Sequence, residues 1–209
     1  MTRSFDDATR RNIAELCAGF ARLAPADAAP ALKRAAVAIA LTEGDDGNGT
    51  AFLLTRRSAS LRSHRAQWAL PGGRCDAGET QTQAALRELD EELGLALSEG
   101  DVLGLLDDYP TRSGYLITPV VVWAGETAEM TPNPDEVASV HRIGLDAIEA
   151  RDAFSFVSIP ESSRRVIRFR LAGQHIHAPT AALIYQFSEV LAGRSTRVAD
   201  LEQPVFAWK

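Results

Sequence analysis

The segment from Gly73 to Leu95 constrains this chain more than any other. Thr80 followed by Gln83 is a capping-box pair and Gly94 suits a helix end, so a helix is predicted over about 80–93. At about 100° per residue, Leu86, Leu89 and Leu93 fall within a narrow arc that has to be buried. Glu88, Glu91 and Glu92 spread over an arc of about 100° on another side. Like charges at these spacings repel, by roughly a few tenths of a kcal/mol per pair. A cation held between them removes that repulsion. Carboxylate oxygens completed by water and phosphate oxygens are the ligands Mg²⁺ prefers, and a metal so held polarises a phosphoryl group and acidifies an attacking water. Glu79, a little over two turns before Glu88, is placed to reach Arg87 through the loop and fix the helix end. The plainer alternative is a set of acids decorating a solvated face.

Around this helix the pattern is of alternating strands and helices. Residues 5–23 read as a helix, with Ile13, Leu16, Phe20 and Leu23 at helical spacing, followed by an Ala/Pro-rich linker near Pro25 to Pro30. Ala35 to Leu41 and Ala51 to Thr55 read as a hairpin turned by the Gly-rich run from Gly44 to Gly49. Further strands are expected at about 102–107, 115–124, 136–142 and 166–171, with short helices at 145–150 and 180–191. This order predicts an α/β fold, a mixed sheet with helices on its faces. No internal repeat divides the chain. It is expected to be one compact unit, with residues 1–30 as an N-terminal helix and linker and 31–209 as the main domain.

The net charge of -6 argues against a nucleic-acid surface, which carries a basic excess. Cys17 and Cys75 are too few for a disulfide framework, and no Cys/His cluster has zinc spacing. The opening residues lack the apolar stretch of a signal peptide, and no apolar run reaches the roughly 18 residues of a membrane span. A reduced, cytoplasmic, soluble protein without membrane partners is expected.

The segment resembles the Nudix box, Gly-x5-Glu-x7-Arg-Glu-U-x-Glu-Glu-x-Gly-U with U aliphatic. Gly73, Glu79, Arg87, Glu88, Leu89, Glu91, Glu92, Gly94 and Leu95 fill every specified position. At background frequencies near 7%, seven fixed residues coincide by chance on the order of once in a hundred million starting points, which disposes of the decorated-face alternative. The resemblance implies a Nudix-type α/β/α sandwich around a mixed β-sheet. It implies Mg²⁺ or Mn²⁺ held by Glu88 and Glu92 together with Glu91, and a glutamate that activates water. Glu91 is taken for that role, with Arg87 beside it and Glu136 as the candidate from a later loop. Family members are often dimers, so a homodimer is left open, although no segment identifies an interface.

Arg56, Arg57, Arg62 and Arg65, with His64, form a basic stretch without acids, suited to phosphate or to a solvated loop. Leu53, Leu54, Thr55, Arg57, Ser58, Arg62, Pro71, Gly72 and Gly73 are similar to the motif preceding the box in coenzyme A diphosphatases. Ala66 departs from its Gly and Leu70 from its Phe. The segments Tyr109 to Val121 and Ile176 to Ile184 extend the likeness, with Ala178 in a Gly position. The resemblance implies cleavage of coenzyme A or acyl-coenzyme A between the bridging phosphoryl groups, with Arg57, Arg62, Gly72 and Gly73 binding substrate. Two rivals stand beside it. One is a Nudix hydrolase of a dinucleotide, nucleotide sugar or nucleoside triphosphate; the other is a nucleotide sensor without catalysis. Trp68 and Trp123 are assigned to packing, and Cys75 has no neighbouring base to activate it.

Overall fold

The structure, a computed structural model, describes residues 3–23, 32–45, 47, 49–58, 67–125 and 130–205. β1 (Lys33–Glu43) and β2 (Thr50–Arg57) form the expected hairpin, pairing antiparallel from Leu41 with Phe52 to Glu43 with Thr50. Away from that turn the two strands part. Into the opening come β3 (Trp68–Ala69), paired to Thr55 and Arg56, and β4 (Gly72–Arg74), paired to Ala35, Ala36 and Val37. Between them the Pro71 carbonyl accepts from the Ala38 N–H at 2.8 Å. The start of the glutamate-rich segment is thereby wedged into a split sheet.

β7 (Tyr115–Trp123) runs parallel to β1, and β5 (Val102–Leu105) and β6 (Tyr109–Pro110) pair antiparallel with β7. β8 (Val137–Gly144) pairs antiparallel with β2, which completes a mixed sheet of eight strands. Strand alternation decides what covers each face. Ala36, Ala38, Ala40, Leu53, Val120 and Val122 point one way, where α2 (Gln81–Leu93) packs with Ala84, Ala85, Leu89 and Leu93. Alanines on both sides of that contact let helix and sheet approach closely. Ile39, Leu41, Phe52, Leu54, Val121 and Trp123 point the other way. There they join a core with α1 (Asp7–Gly19), α3 (Leu145–Glu149) and α4 (Thr180–Leu191). An antiparallel sheet of β9 (Phe154–Ile159), β10 (Ser162–Leu171) and β11 (Gln174–His177) packs Phe169 and Ile176 into the same core. The arrangement is the α/β/α sandwich with a mixed sheet that the sequence led us to expect.

Several expectations need correction. α1 ends at Gly19, not at residue 23, because the Phe20 N–H caps Cys17 and the chain then extends. The Leu23 N–H donates to Asp107 Oδ1 at 2.8 Å and the residue is 55% exposed, so Leu23 is not part of the helical stripe. The last long strand, expected from 166, begins at Ser162, and Glu136 lies in the turn before β8. Strands β3, β4, β6, β9 and β11 were not expected. The Ala/Pro stretch at 25–30, together with Arg62, His64, Arg65 and Ala66, lies outside the described residues. Trp123 is core, stacked on Phe5 at 4.3 Å between ring centroids. Among the described residues no helix is long and apolar enough to cross a membrane.

Candidate active site

The helix carrying the carboxylates is held at both ends as its sequence predicts. Thr80 Oγ1 accepts from the Gln83 N–H at 3.2 Å, and the Thr80 N–H donates to Gln83 Oε1 at 3.0 Å. Gly94 adopts the left-handed conformation, φ 70°, and closes the last turn onto Asp90. Across the glutamate arc, burial follows distance from the leucine stripe. Glu92, nearest to Leu89 and Leu93, has a side chain 3% exposed; Glu88 has 14% and Glu91 has 56%.

Arg87 ties the preceding loop to this arc. Its Nε and Nη2 donate to Glu79 Oε1 and Oε2 at 2.9 and 3.1 Å, and Nη2 also reaches the Arg74 carbonyl at 3.0 Å. Nη1 donates to Glu88 Oε1 at 3.0 Å and to Glu91 Oε2 at 2.8 Å. The hydrogen bonds from Arg87 hold the Glu79 carboxyl below its usual range, and the same bonds raise the guanidinium pKa. Glu79 also accepts from the Asp76 N–H at 2.8 Å, so the loop 74–79 is fixed from both sides.

Two glycines bring the β4 backbone against the buried acids. A Cβ on Gly73 would lie 2.2 Å from Glu88 Oε1, and one on Gly72 would lie 2.3 Å from the Ala36 carbonyl. The Gly72 N–H donates to Glu92 Oε2 at 3.2 Å, and Arg57 Nη1 is 3.5 Å from Glu92 Oε1. These contacts do not offset the burial of Glu92, whose pKa is pushed up to about 7 by desolvation, with Glu88 and Glu136 adding to the rise. Glu88 is raised for the same first reason, and Glu91 and Glu136 act on it in the same direction. Glu136 adds its charge to theirs from a turn whose backbone carbonyl accepts from the Ser58 N–H at 2.8 Å.

A concentration of desolvated, mutually repelling carboxylates is the donor chemistry of a hard divalent cation. The Glu88 carboxyl lies directly against the Gly73 backbone, in the space that a Gly73 side chain would fill. Among the described residues no three of these groups converge far enough to enclose a cation by themselves. Water and phosphate oxygens have to complete the shell, as Mg²⁺ sites commonly require.

From Gly72 and Gly73 a cleft of about 520 Å³ opens, a size suited to a small organic ligand. Arg57 and Arg74 line its box end, and Ile117, Leu183, Pro179 and Trp68 give it apolar walls. Thr180, Ser113 and Gln203 add neutral polar groups. Arg74 stacks over the Tyr115 ring at 5.3 Å. Trp68 is therefore more than packing under a loop: it lines the cleft, its Nε1 bonded to Gln174 Oε1 at 3.1 Å and its ring flanked by Arg56 and His141. Leu70, which replaces the Phe of the motif, is 4% exposed in the same wall. Burial raises the Cys75 thiol pKa, which disfavours the nucleophilic thiolate form.

The structure thus brings Glu88, Glu92, Gly72, Gly73 and Arg57 together, with Glu136 nearby and Arg87 bridging Glu79 to Glu88 and Glu91. Glu91 stands at the exposed edge. Sequence reasoning missed Arg74, Tyr115 and Leu183 as cleft residues. Tyr115 and Leu183 lay in segments already singled out for their likeness, whereas nothing in the sequence pointed to Gln203.

Comparison with known proteins agrees with this geometry. The NUDIX domain family matches residues 32–160. NudL of Pectobacterium atrosepticum, itself an uncharacterised Nudix hydrolase, is 35% identical over 146 residues, covering 68% of this chain and 76% of that protein. Nudix hydrolase 22, chloroplastic, of Arabidopsis thaliana is 36% identical over 141 residues, 66% of this chain and 45% of its own length. The crystal structure of the Nudix hydrolase RenU from M. smegmatis shares the fold, with a TM-score of 0.50 at 23% identity over 77% of this chain and 86% of that chain. With the box complete and two of its acids packed against the Gly72–Gly73 backbone that lines the cleft, the chain belongs to the Nudix family and is a Nudix hydrolase, an enzyme that cleaves pyrophosphate bonds in small nucleotide derivatives.

Proposed function

We propose that the substrate is coenzyme A or an acyl derivative, cleaved between its bridging phosphoryl groups to 4'-phosphopantetheine and 3'-phosphoadenosine 5'-phosphate. The observation that carries this reading is the distribution of charge along the cleft. Arg57 and Arg74 are its only charged lining residues among those described, both at the box end, and the rest is apolar or neutral polar. A diphosphate joined to a long, uncharged, amphipathic arm matches that profile better than a compact triphosphate does. The motif around Leu53 to Gly73 supports the same choice.

Mg²⁺ or Mn²⁺, held by Glu88 and Glu92 with Glu91, would neutralise the diphosphate and lower the pKa of the attacking water. Glu91, the most exposed of the three, takes the water's proton as general base, with Glu136 as the alternative on the facing turn. Arg87 keeps Glu88 and Glu91 in place through its anchorage on Glu79. Arg57, next to Glu92 and on the cleft, binds a substrate phosphate together with Arg62. Gly72 and Gly73, lacking side chains, let the diphosphate approach the backbone. A second reading, another nucleoside diphosphate derivative, draws on one observation: Leu70 leaves the wall smaller than the Phe of the motif would.

Incubation with Mg²⁺ or Mn²⁺ and coenzyme A, a dinucleotide, a nucleotide sugar or a nucleoside triphosphate, with products identified by mass, separates these readings. Coenzyme A should be split at its diphosphate, and Glu91→Gln should lower the rate by about a hundredfold or more. Cleavage of the other nucleotides alone would replace the substrate, and tight binding without turnover would favour a sensor.

A further inference from the structure

The family match ends at residue 160, yet one wall of the cleft is bonded to chain well beyond it. The loop joining β6 to β7 supplies Thr111 and Ser113 to that wall, and Tyr115 at the start of β7 adds to it. Its shape is set internally: the Thr111 N–H donates to the Tyr115 carbonyl at 2.7 Å, and the Tyr115 N–H donates to Thr111 Oγ1 at 2.9 Å. Its position over the cleft is set by other contacts. The Arg112 N–H donates to Gln203 Oε1 at 2.7 Å, and Gln203 also lines the cleft. The Arg112 guanidinium donates through Nε to Glu202 Oε1 at 3.1 Å and through Nη2 to Oε2 at 2.5 Å.

Glu202 is 2% exposed and receives two more donors, Ser162 Oγ at 2.8 Å and the Gln203 N–H at 3.0 Å. Four donors on one buried carboxylate bind the loop, the start of β10 and the C-terminal segment into one cluster. The Glu202 N–H donates to the Arg165 carbonyl at 2.8 Å, and Tyr109 Oη donates to the Leu201 carbonyl at 2.7 Å. In the sequence Arg112 would pass for another phosphate-binding arginine. Instead its fork is directed at a carboxylate of this chain. Buried ion pairs of this kind often add little net stability. What a four-donor cluster does deliver is a fixed geometry.

We propose that the Arg112–Glu202–Ser162 cluster is a positioning latch that holds the 111–115 loop and Gln203 against the cleft and so sets how tightly substrate is bound. It rests on the reading of this cleft as the substrate site. The latch takes no part in the chemical step, since none of its groups belongs to the glutamate cluster.

The test combines amide hydrogen exchange over 109–117 and 198–205 with kinetics on coenzyme A in Mg²⁺. Glu202→Gln should speed exchange in both segments and raise KM by about tenfold while kcat stays within about twofold. Gln203→Ala, which keeps the ion pair, should raise KM by a smaller factor and speed exchange at the Arg112 amide. Arg170→Ala, an exposed residue elsewhere on β10, should change neither quantity. Unchanged exchange over 109–117 in Glu202→Gln overturns the latch, whatever the kinetics. Faster exchange with unchanged KM overturns its role in substrate fit. If exchange rises over the whole chain the variant has lost its fold, and Gln203→Ala then decides. Should the wild type hydrolyse none of the diphosphates offered, the functional reading falls, and the exchange data alone judge the latch.

Discussion

Glu92 illustrates how one position on a helix couples packing to titration. It is the glutamate closest to the leucine stripe, so burial that stabilises α2 also desolvates its carboxyl and lifts it to about 7. In the unfolded chain the same group titrates near 4.5. The folded protein therefore holds the proton more tightly, and without metal its stability must fall as pH rises from about 4.5 to about 7. Metal-free wild type should lose up to about 3 kcal/mol over that window relative to Glu92→Gln. Parallel urea-denaturation profiles for the two proteins would contradict this. Glu202 has the opposite sign: the Arg112 guanidinium, first among its partners, holds it at about 2. Its contribution is present above 4.5 and lost as pH falls towards 2. With Arg112 42% exposed and screened accordingly, Glu202→Gln should remove about 1 kcal/mol of acid-sensitive stability between pH 5 and 3. Sequence made Glu92 legible, because helical spacing fixes its neighbours. It left Glu202 silent, because its partners are 90 and 40 residues away and no local period signals them.

At the scale of elements, the helix ends and faces of α2 were readable from Thr80, Gln83, Gly94 and three leucines, since each acts within a turn or two of itself. β3 and β4 were not readable. Each is two or three residues long and exists because β1 and β2 part, which is a tertiary event. β9 alternates Phe154, Ser155 and Phe156 in a strand pattern that the sequence reading passed over. The two glycines of β4 give a paired prediction. Gly72 has φ 149° and its added Cβ would strike the Ala36 backbone, so Gly72→Ala should destabilise the fold, by about 2 kcal/mol or more. The added Cβ of Gly73 would meet only the end of the Glu88 side chain, which can swing aside. Gly73→Ala should therefore melt near wild type while losing about a hundredfold or more in kcat through a misplaced carboxylate. Thermal melts and steady-state rates on the same samples check both halves. A normal rate in a well-folded Gly73→Ala would show that Glu88 need not stay where it is.

On the scale of the whole molecule, alternation along β1, β2 and β7 settles the sandwich, and the leucine stripe of α2 settles which face of the sheet its glutamates adjoin. What sequence could not supply was the distal wall of the cleft, assembled from the β6–β7 loop, the start of α4 and the C-terminal segment. Those pieces meet only once both sheets and α4 are packed, so no single segment announces them. The N-terminal helix is likewise legible as a helix but not in its docking, where Cys17 comes so close to β5 that a Cβ on Gly104 would lie 2.7 Å from its own Cβ. All of this packing holds one arrangement, the carboxylates of Glu88 and Glu92 against the Gly72–Gly73 backbone that lines a mostly uncharged cleft. The measurement that tests it most directly is the rate of coenzyme A hydrolysis as Mn²⁺ is titrated into metal-free wild type and into Glu92→Gln. Wild type should be inert without the ion and saturate with it, and the variant should need far more Mn²⁺ and stay at least about a hundredfold slower. Equal rates in the two proteins, or turnover undiminished by removal of the metal, would contradict the assignment of the glutamate cluster as the reacting centre.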